Sequence, residues 1–134
     1  MAGYSGTPLP QKLGIKARAC VALLRAPADF ILGETPTDAV LSSSLRGKTP
    51  FDVILFFTDS RAELDKEFRG LTARLATAGG LWISWPKKAS GVPTDITEDI
   101  VREIGLANGL VDNKVCAVDD IWSGLRFVRR LKDR

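Results

Sequence analysis

Histidine is absent from this chain, cysteine occurs twice, and tyrosine and methionine occur once each. Without histidine there is no Ser-His-Asp or Cys-His arrangement, and the commonest base near neutral pH is missing. Any catalysis would have to run on carboxylates, lysines, Tyr4 or a bound cofactor. Cys20 and Cys116 each sit in an apolar, strand-like run and read as small buried hydrophobes. Two isolated cysteines without histidine cannot build a typical zinc centre, so no metal is expected. Nothing about them points to an oxidising compartment. Long hydrophobic runs are missing too: a stretch such as Val53 to Phe57 is far short of a bilayer span. Met1 to Pro10 lacks the cationic start and apolar core of a secretory signal, and a cytoplasmic location without membrane attachment is expected.

What is present suits a globular protein. A chain of 134 residues, 45% hydrophobic and 26% charged, is long enough for one domain. Folding would bury roughly two-thirds of its unfolded surface. Residues 1–8, rich in Gly, Ser and Pro, read as a mobile arm before a single domain at 9–134. The net charge of +3 is unevenly placed: from Arg126 onward five cations and one acid give +4, leaving −1 for the remainder. A body so near neutrality is not a nucleic-acid surface, and the basic C-terminus reads as a strand with a cationic face, charged against edge-to-edge aggregation.

The apolar pattern predicts alternating strands and helices. Leu9 to Leu13 reads as a short helix ended by Gly14, and Ala17 to Leu24 as a strand buried on both faces. Ala28 to Leu32 reads as a helical turn stopped by Gly33, and Ala39 to Leu41 as a short strand in a weakly patterned stretch. Phe51 to Phe57 is the clearest strand. Ser60 with Glu63 forms a capping-box pattern, and Leu64, Phe68, Leu71 and Leu75 fall on one face of the helix it opens. Gly79-Gly80 reads as a turn leading into a strand at Leu81 to Trp85, whose two tryptophans point to opposite faces. Asp95 with Glu98 is a second capping-box pattern, for a helix from Ile96 to about Ala107 closed by Asn108-Gly109. Val111 to Val118 and Leu125 to Leu131 read as a terminal hairpin at one sheet edge. The expected class is α/β: a three-layer Rossmann-like sandwich, its sheet mostly parallel with a C-terminal antiparallel hairpin.

Two clusters carry potential chemistry. Lys87, Lys88, Ser90, Gly91, Thr94 and Asp95 follow a buried strand and lead into a helix, the layout at which α/β proteins bind anions. Acidic residues in that helix's first turn oppose a simple phosphate cradle. Asp119, Asp120, Trp122, Ser123 and Arg126 place an aromatic plate beside acids and an arginine, a group that would grip a planar or cationic ligand or else form a hairpin turn.

The order of elements resembles a class I methyltransferase domain with its early part shortened. The carrying phrases are Lys12-Leu13-Gly14-Ile15-Lys16 before the first strand, Phe51-Asp52-Val53-Ile54, and Gly79-Gly80-Leu81-Trp82-Ile83. Such domains usually place an acid and closely spaced glycines after the first strand. Here that stretch is Leu24-Arg25-Ala26-Pro27-Ala28-Asp29, without glycine, and Asp38 is the only acid near the position that normally meets a ribose. On this departure no cofactor is expected, S-adenosylmethionine included. The phrases Lys12-Leu13-Gly14-Ile15, Trp85-Pro86-Lys87-Lys88, Gly91-Val92-Pro93-Thr94-Asp95 and Trp122-Ser123-Gly124-Leu125-Arg126 also resemble a family of small bacterial domains of unknown function, which supplies lineage and no catalytic residue. The leading expectation is therefore a non-catalytic, methyltransferase-like domain that binds a protein partner or a small anionic ligand. One alternative is a divergent transferase using a nucleotide-type or S-adenosylmethionine-like cofactor, with Lys87, Lys88 and Asp95 lining its cleft. A second is weak nucleic-acid binding through the basic C-terminus. Homo-oligomerisation is left open.

Overall fold

The most apolar run, Phe51–Phe57, takes the middle of the sheet because almost none of its side chains tolerates water. In the computed structural model, which describes residues 6–134, this run is strand β3 and pairs in parallel with β1 (Cys20–Leu24) and β4 (Leu75–Pro86). β2 (Val40–Ser42) flanks β1 in parallel, and the last two strands, β5 (Leu110–Ala117) and β6 (Trp122–Arg129), form an antiparallel hairpin. The six strands lie in the order β2-β1-β3-β4-β6-β5. The expected α/β class, with a mostly parallel sheet and a C-terminal hairpin, is thus observed. Residues 1–5 of the expected N-terminal arm lie outside the described residues.

Both sheet faces are covered, by different means. Helices α2 (Arg61–Ala73) and α3 (Glu98–Ala107) lay Leu64, Phe68, Leu71, Val101 and Ile104 on one face, against Ile54, Phe56, Ile83 and Phe127. The other face has the short helix α1 (Leu9–Lys12) and irregular chain, which bring Leu13, Ile15 and Leu32 onto Val21, Val53, Leu55 and Trp82. Fully buried Trp82 donates its indole N–H to the Leu13 carbonyl at 3.0 Å, so the ring anchors this cover as well as filling it. No helix among the described residues is long and apolar enough to cross a membrane.

Several local expectations give way to tertiary contacts. Ala28 to Leu32 forms no helix: Phe30 N–H donates to the Pro27 carbonyl in a turn, and the Phe30 ring packs edge-on against Phe57 with centroids 4.9 Å apart. Gly79-Gly80 is not a turn but strand, since β4 begins at Leu75 and continues through it, with an irregularity in its register against β3 before Gly80. A Cβ on Gly80 would overlap the Arg126 guanidinium, and one on Gly79 would meet the Asp52 carbonyl at 2.9 Å, so the glycines serve close approach. Ser60 accepts from Glu63 N–H at 3.3 Å as its pattern predicts, but α3 is capped by Thr97, which accepts from Ile100 N–H, and not by Asp95. The C-terminal strand β6 lies between β4 and β5, so the edge is β5. Instead of guarding an edge, Arg129 donates to the Thr72 and Leu75 carbonyls at 2.8 and 2.9 Å and closes the C-terminal end of α2. Cys20 and Cys116 are free and pack toward opposite faces.

Two helical glycines should respond to the same substitution with opposite sign. Gly70 in α2 is exposed, with nothing within 4 Å of a Cβ, so Gly70→Ala should stabilise by up to about 1 kcal/mol. A Cβ on Gly105 in α3 would run into the Phe127 ring, so Gly105→Ala should cost about 1–2 kcal/mol after the same helical gain. Urea midpoints of the two variants moving in the same direction would contradict this packing.

Candidate functional site

Parallel pairing sends the carboxyl ends of β1, β3 and β4 to one edge of the sheet, where α/β folds bind ligands. Three loops meet there: 25–30 after β1, 58–60 after β3 and 87–97 after β4.

The third loop borders a cleft of about 610 Å³, with Trp85, Lys87, Lys88, Val92 and Thr94 on one side and Ser123 of β6 on the other. Lys87 is half-buried and Lys88 exposed, and neither ammonium has a hydrogen-bonding or ionic partner among the described residues. The other members of the predicted cluster shape the loop. Ser90 Oγ donates to the Lys87 carbonyl at 2.7 Å and accepts from Val92 N–H, and Gly91 takes a left-handed φ of 76°. Thr94 Oγ1 donates to the Asp59 carbonyl at 2.7 Å, while Asp95 Oδ1 accepts from Arg61 N–H at 2.8 Å, in the first turn of α2. The Asp95 charge is therefore spent on a helix other than the one its position in sequence suggested. Glu98 and Asp99 are turned to Arg102, at 2.8 and 3.4 Å. Arg102 also meets Asp112 at 3.0 Å, and these bonds, Glu98 first, raise its pKa. With those acids engaged, the unpartnered charge beside the cleft is that of the two lysines.

The second predicted cluster is dispersed. Asp119 Oδ1 accepts from the Ile121 and Trp122 N–H groups, both at 2.8 Å, and so builds the hairpin turn, while Asp120 is exposed within it. Trp122 packs edge-on against Phe57 at 5.2 Å, extending the contact of Phe30 with that ring. Ser123 borders the lysine cleft. Arg126 lies three residues further along β6, about 10 Å away, and its guanidinium reaches over Gly80 toward the opposite ends of the strands.

The first loop holds groups that the residue pattern did not single out. Arg25 adopts φ 59°, a left-handed conformation that glycine usually supplies, directly after β1. Its guanidinium meets Glu63 at 2.7 Å and lies 5.6 Å from the Phe56 ring centroid. Glu63 in turn accepts from Thr58 Oγ1 at 2.6 Å, a chain that joins the ends of β1 and β3 to α2. The same loop carries exposed Asp29 and half-buried Phe30. Ser84, fully buried on β4 next to Phe57, has no hydrogen-bond partner for its hydroxyl among the described residues. A serine between Ile83 and Trp85 in an otherwise apolar strand was the available signal for it.

The chain matches no established family profile, and no curated protein matches it in sequence. Its fold matches solved structures. The fibrillarin pre-rRNA processing protein of Methanococcus jannaschii superposes with a TM-score of 0.59 at 12% identity, over 95% of this chain and 70% of that one. A SAM-dependent methyltransferase from Aquifex aeolicus gives 0.57 at 16% identity, over 87% and 85%. Magnesium protoporphyrin IX methyltransferase from Synechocystis PCC 6803 with bound SAM gives 0.57 at 12%, over 91% and 74%. At such identities the likeness establishes a fold, and the fold is Rossmann-like and methyltransferase-like.

These matches correct the expectation that no cofactor is involved. The structures sharing the fold include the Synechocystis enzyme holding SAM, and the same enzyme holding SAH at a TM-score of 0.55 and 11% identity, over 91% of this chain and 78% of that one. The absence of glycine after β1 had argued against it, but Arg25 supplies the left-handed turn without one. The groups at this edge fit an adenosyl amino acid in kind: a cation at Arg25, an exposed carboxylate at Asp29 and an aromatic face at Phe30.

The tie from Asp95 to α2 should register as stability. Asp95→Ala should cost about 1 kcal/mol in urea unfolding, as loss of a capping acceptor does, while Lys87→Ala and Lys88→Ala should stay within about 0.5 kcal/mol of the parent. A neutral Asp95→Ala would show that Arg61 N–H finds an equal acceptor elsewhere.

Proposed function

We propose that this chain is a divergent transferase that takes S-adenosylmethionine or a related nucleoside at the carboxyl edge of its parallel strands, and that the Lys87–Lys88 cleft receives the anionic group of an acceptor. The observation carrying this reading is the strand order β2-β1-β3-β4-β6-β5, which gathers the three loops at one edge, in a fold that superposes on structures holding SAM and SAH. Arg25 would meet the carboxylate of the ligand, Asp29 its ribose hydroxyls and Phe30 its base. Bound S-adenosylmethionine supplies a methyl group on a sulfonium, whose departure as a neutral thioether asks for an aligned acceptor in a dry setting more than for a strong base. A chain without histidine suits that demand. Lys87 and Lys88 would orient the acceptor by its charge, with Trp85 and Val92 excluding water beside it. The structural neighbours favour this alternative over a domain that only binds a partner.

Thermal unfolding with S-adenosylmethionine and S-adenosylhomocysteine tests it. At one hundred times the dissociation constant, either ligand should raise the melting temperature by about 5–10 °C. Asp29→Asn and Phe30→Ala should each weaken binding by roughly tenfold. The proposal fails if neither ligand shifts the melting temperature, or if both variants bind as tightly as the parent.

A further inference from the structure

At the opposite, amino-terminal edge of the strands, an arginine sits where a simple sheet would not keep one. Arg126 is half-buried in β6, with Trp82 of β4 as its register partner on one side and Lys114 of β5 on the other. Its guanidinium lies so close over Gly80 that a Cβ there would overlap Nε. No carboxylate among the described residues pairs with it, and its hydrogen bond is a long one, 3.4 Å to Asn113 Oδ1. Burial lowers its pKa, and the nearby charge of Arg134 adds to the effect. Asn113 is the extra residue of a bulge between Asp112 and Lys114, which turns its amide toward the arginine.

The surroundings add cations to this unpaired charge. A cavity of about 290 Å³ is lined by Arg126 together with Lys16 and Arg18 from the segment before β1, Asp52 of β3, and Ala78 of β4. Arg18 enters it through a left-handed backbone, φ 63°, costly for a residue with a side chain. Lys114, across the strand pair, is held by the Lys12 carbonyl at 3.0 Å. Like charges facing each other across a strand pair destabilise it, and here Lys114 and Arg126 do so beside two more cations. The one acid, Asp52, already accepts from Cys20 N–H at 2.8 Å.

We propose that this cavity is a phosphate-binding site, in which Arg126 lies flat on the glycine floor of β4 and Lys16 and Arg18 close over a phosphomonoester or inorganic phosphate. A monocarboxylate is satisfied by a single guanidinium fork, whereas cations converging from separate elements suit a tetrahedral dianion. The recess, with Asp52 at its wall, holds a small ligand and opposes a phosphodiester chain laid across it. The second glycine of the pair that reads in sequence as a turn is explained by the same arrangement, because the arginine can lie down only where Gly80 has no side chain. The site is at the other edge of the sheet from the proposed cofactor position, so either can fail without the other.

The test is a titration of the full chain with inorganic phosphate at constant ionic strength set by chloride, followed by 15N–1H spectra. The amides of Lys16, Arg18, Gly80 and Arg126 should move first and saturate, and Arg126→Gln should weaken binding by roughly tenfold. Lys66→Ala, at an exposed lysine of α2 that does not line this cavity, should leave the curve unchanged. Should Arg126→Gln fail to fold, the double variant Lys16→Ala/Arg18→Ala, whose side chains are exposed, should weaken binding to a similar degree. The proposal is overturned if those amides do not move, or if the variants titrate like the parent. It is equally overturned if a single-stranded oligonucleotide binds through Arg126 while phosphate does not, which would make the patch a polyanion surface.

Discussion

The first backbone N–H groups of a helix need acceptors that the helix cannot supply, and α2 takes one of them from a loop 34 residues away. Asp95 accepts from Arg61 N–H while its neighbour Thr94 donates to the Asp59 carbonyl, so the loop after β4 is sewn to the junction of β3 and α2 by two crossed bonds. Those bonds set where Lys87 and Lys88 emerge. They also release the lysine cleft from a carboxylate that sequence proximity would have placed in it. From the other side, Glu63 links α2 to Arg25 and Thr58, so the loops after β1 and β3 are tied to the same helix start. The N-terminus of α2 is thus the common fastening of the loops at the carboxyl edge of the parallel strands.

The second sheet face reaches the same end with little regular structure. A parallel sheet needs cover on both faces, and here α1 and irregular chain supply what a row of helices supplies elsewhere. Apolar packing alone would leave such a cover poorly fixed. Directional contacts define it: the Trp82 indole on the Leu13 carbonyl, and the edge-on series of Phe30, Phe57 and Trp122. The turn at Pro27 that rules out a helix in this stretch is what aims Phe30 at Phe57. A loop that departs from the glycine-rich pattern of methyltransferases is therefore a structural element of this face as well as a wall of the proposed cofactor position.

What was legible in sequence follows the range of the interactions that decide it. Phe51–Phe57, the Ser60 cap, the stripe of Leu64, Phe68 and Leu71 on α2 and the C-terminal hairpin depend on residues a few positions apart, and they read correctly, whereas Leu75, expected on the same helix face, begins β4. The Gly79-Gly80 pair, the partner of Asp95 and the task of Arg129 depend on groups tens of residues away, and local rules pointed elsewhere. A glycine pair means a turn when only its neighbours are considered, and a close approach once Arg126 is above Gly80 and the Asp52 carbonyl beside Gly79. Of the candidate sites, the lysine loop was visible because its strand–loop–helix order is local. The Arg25–Glu63–Thr58 chain was invisible because it joins three elements, and Arg126 was grouped with a hairpin turn that it leaves behind along the strand.

The distribution of unpaired charge separates residues that hold the fold from residues that remain for something else. Arg102 and Arg129 each end on carboxylates or helix carbonyls, where a cation relieves an acceptor and contributes to stability. Lys87, Lys88 and Arg126 do not. An exposed lysine without a partner costs little, because water solvates it. A half-buried arginine facing another cation gives up solvation for one long hydrogen bond, and no carboxylate among the described residues pairs with it, which suits an external anion. On that physical ground the amino-terminal edge makes the stronger demand for a ligand, although the fold's neighbours direct attention to the carboxyl-terminal one.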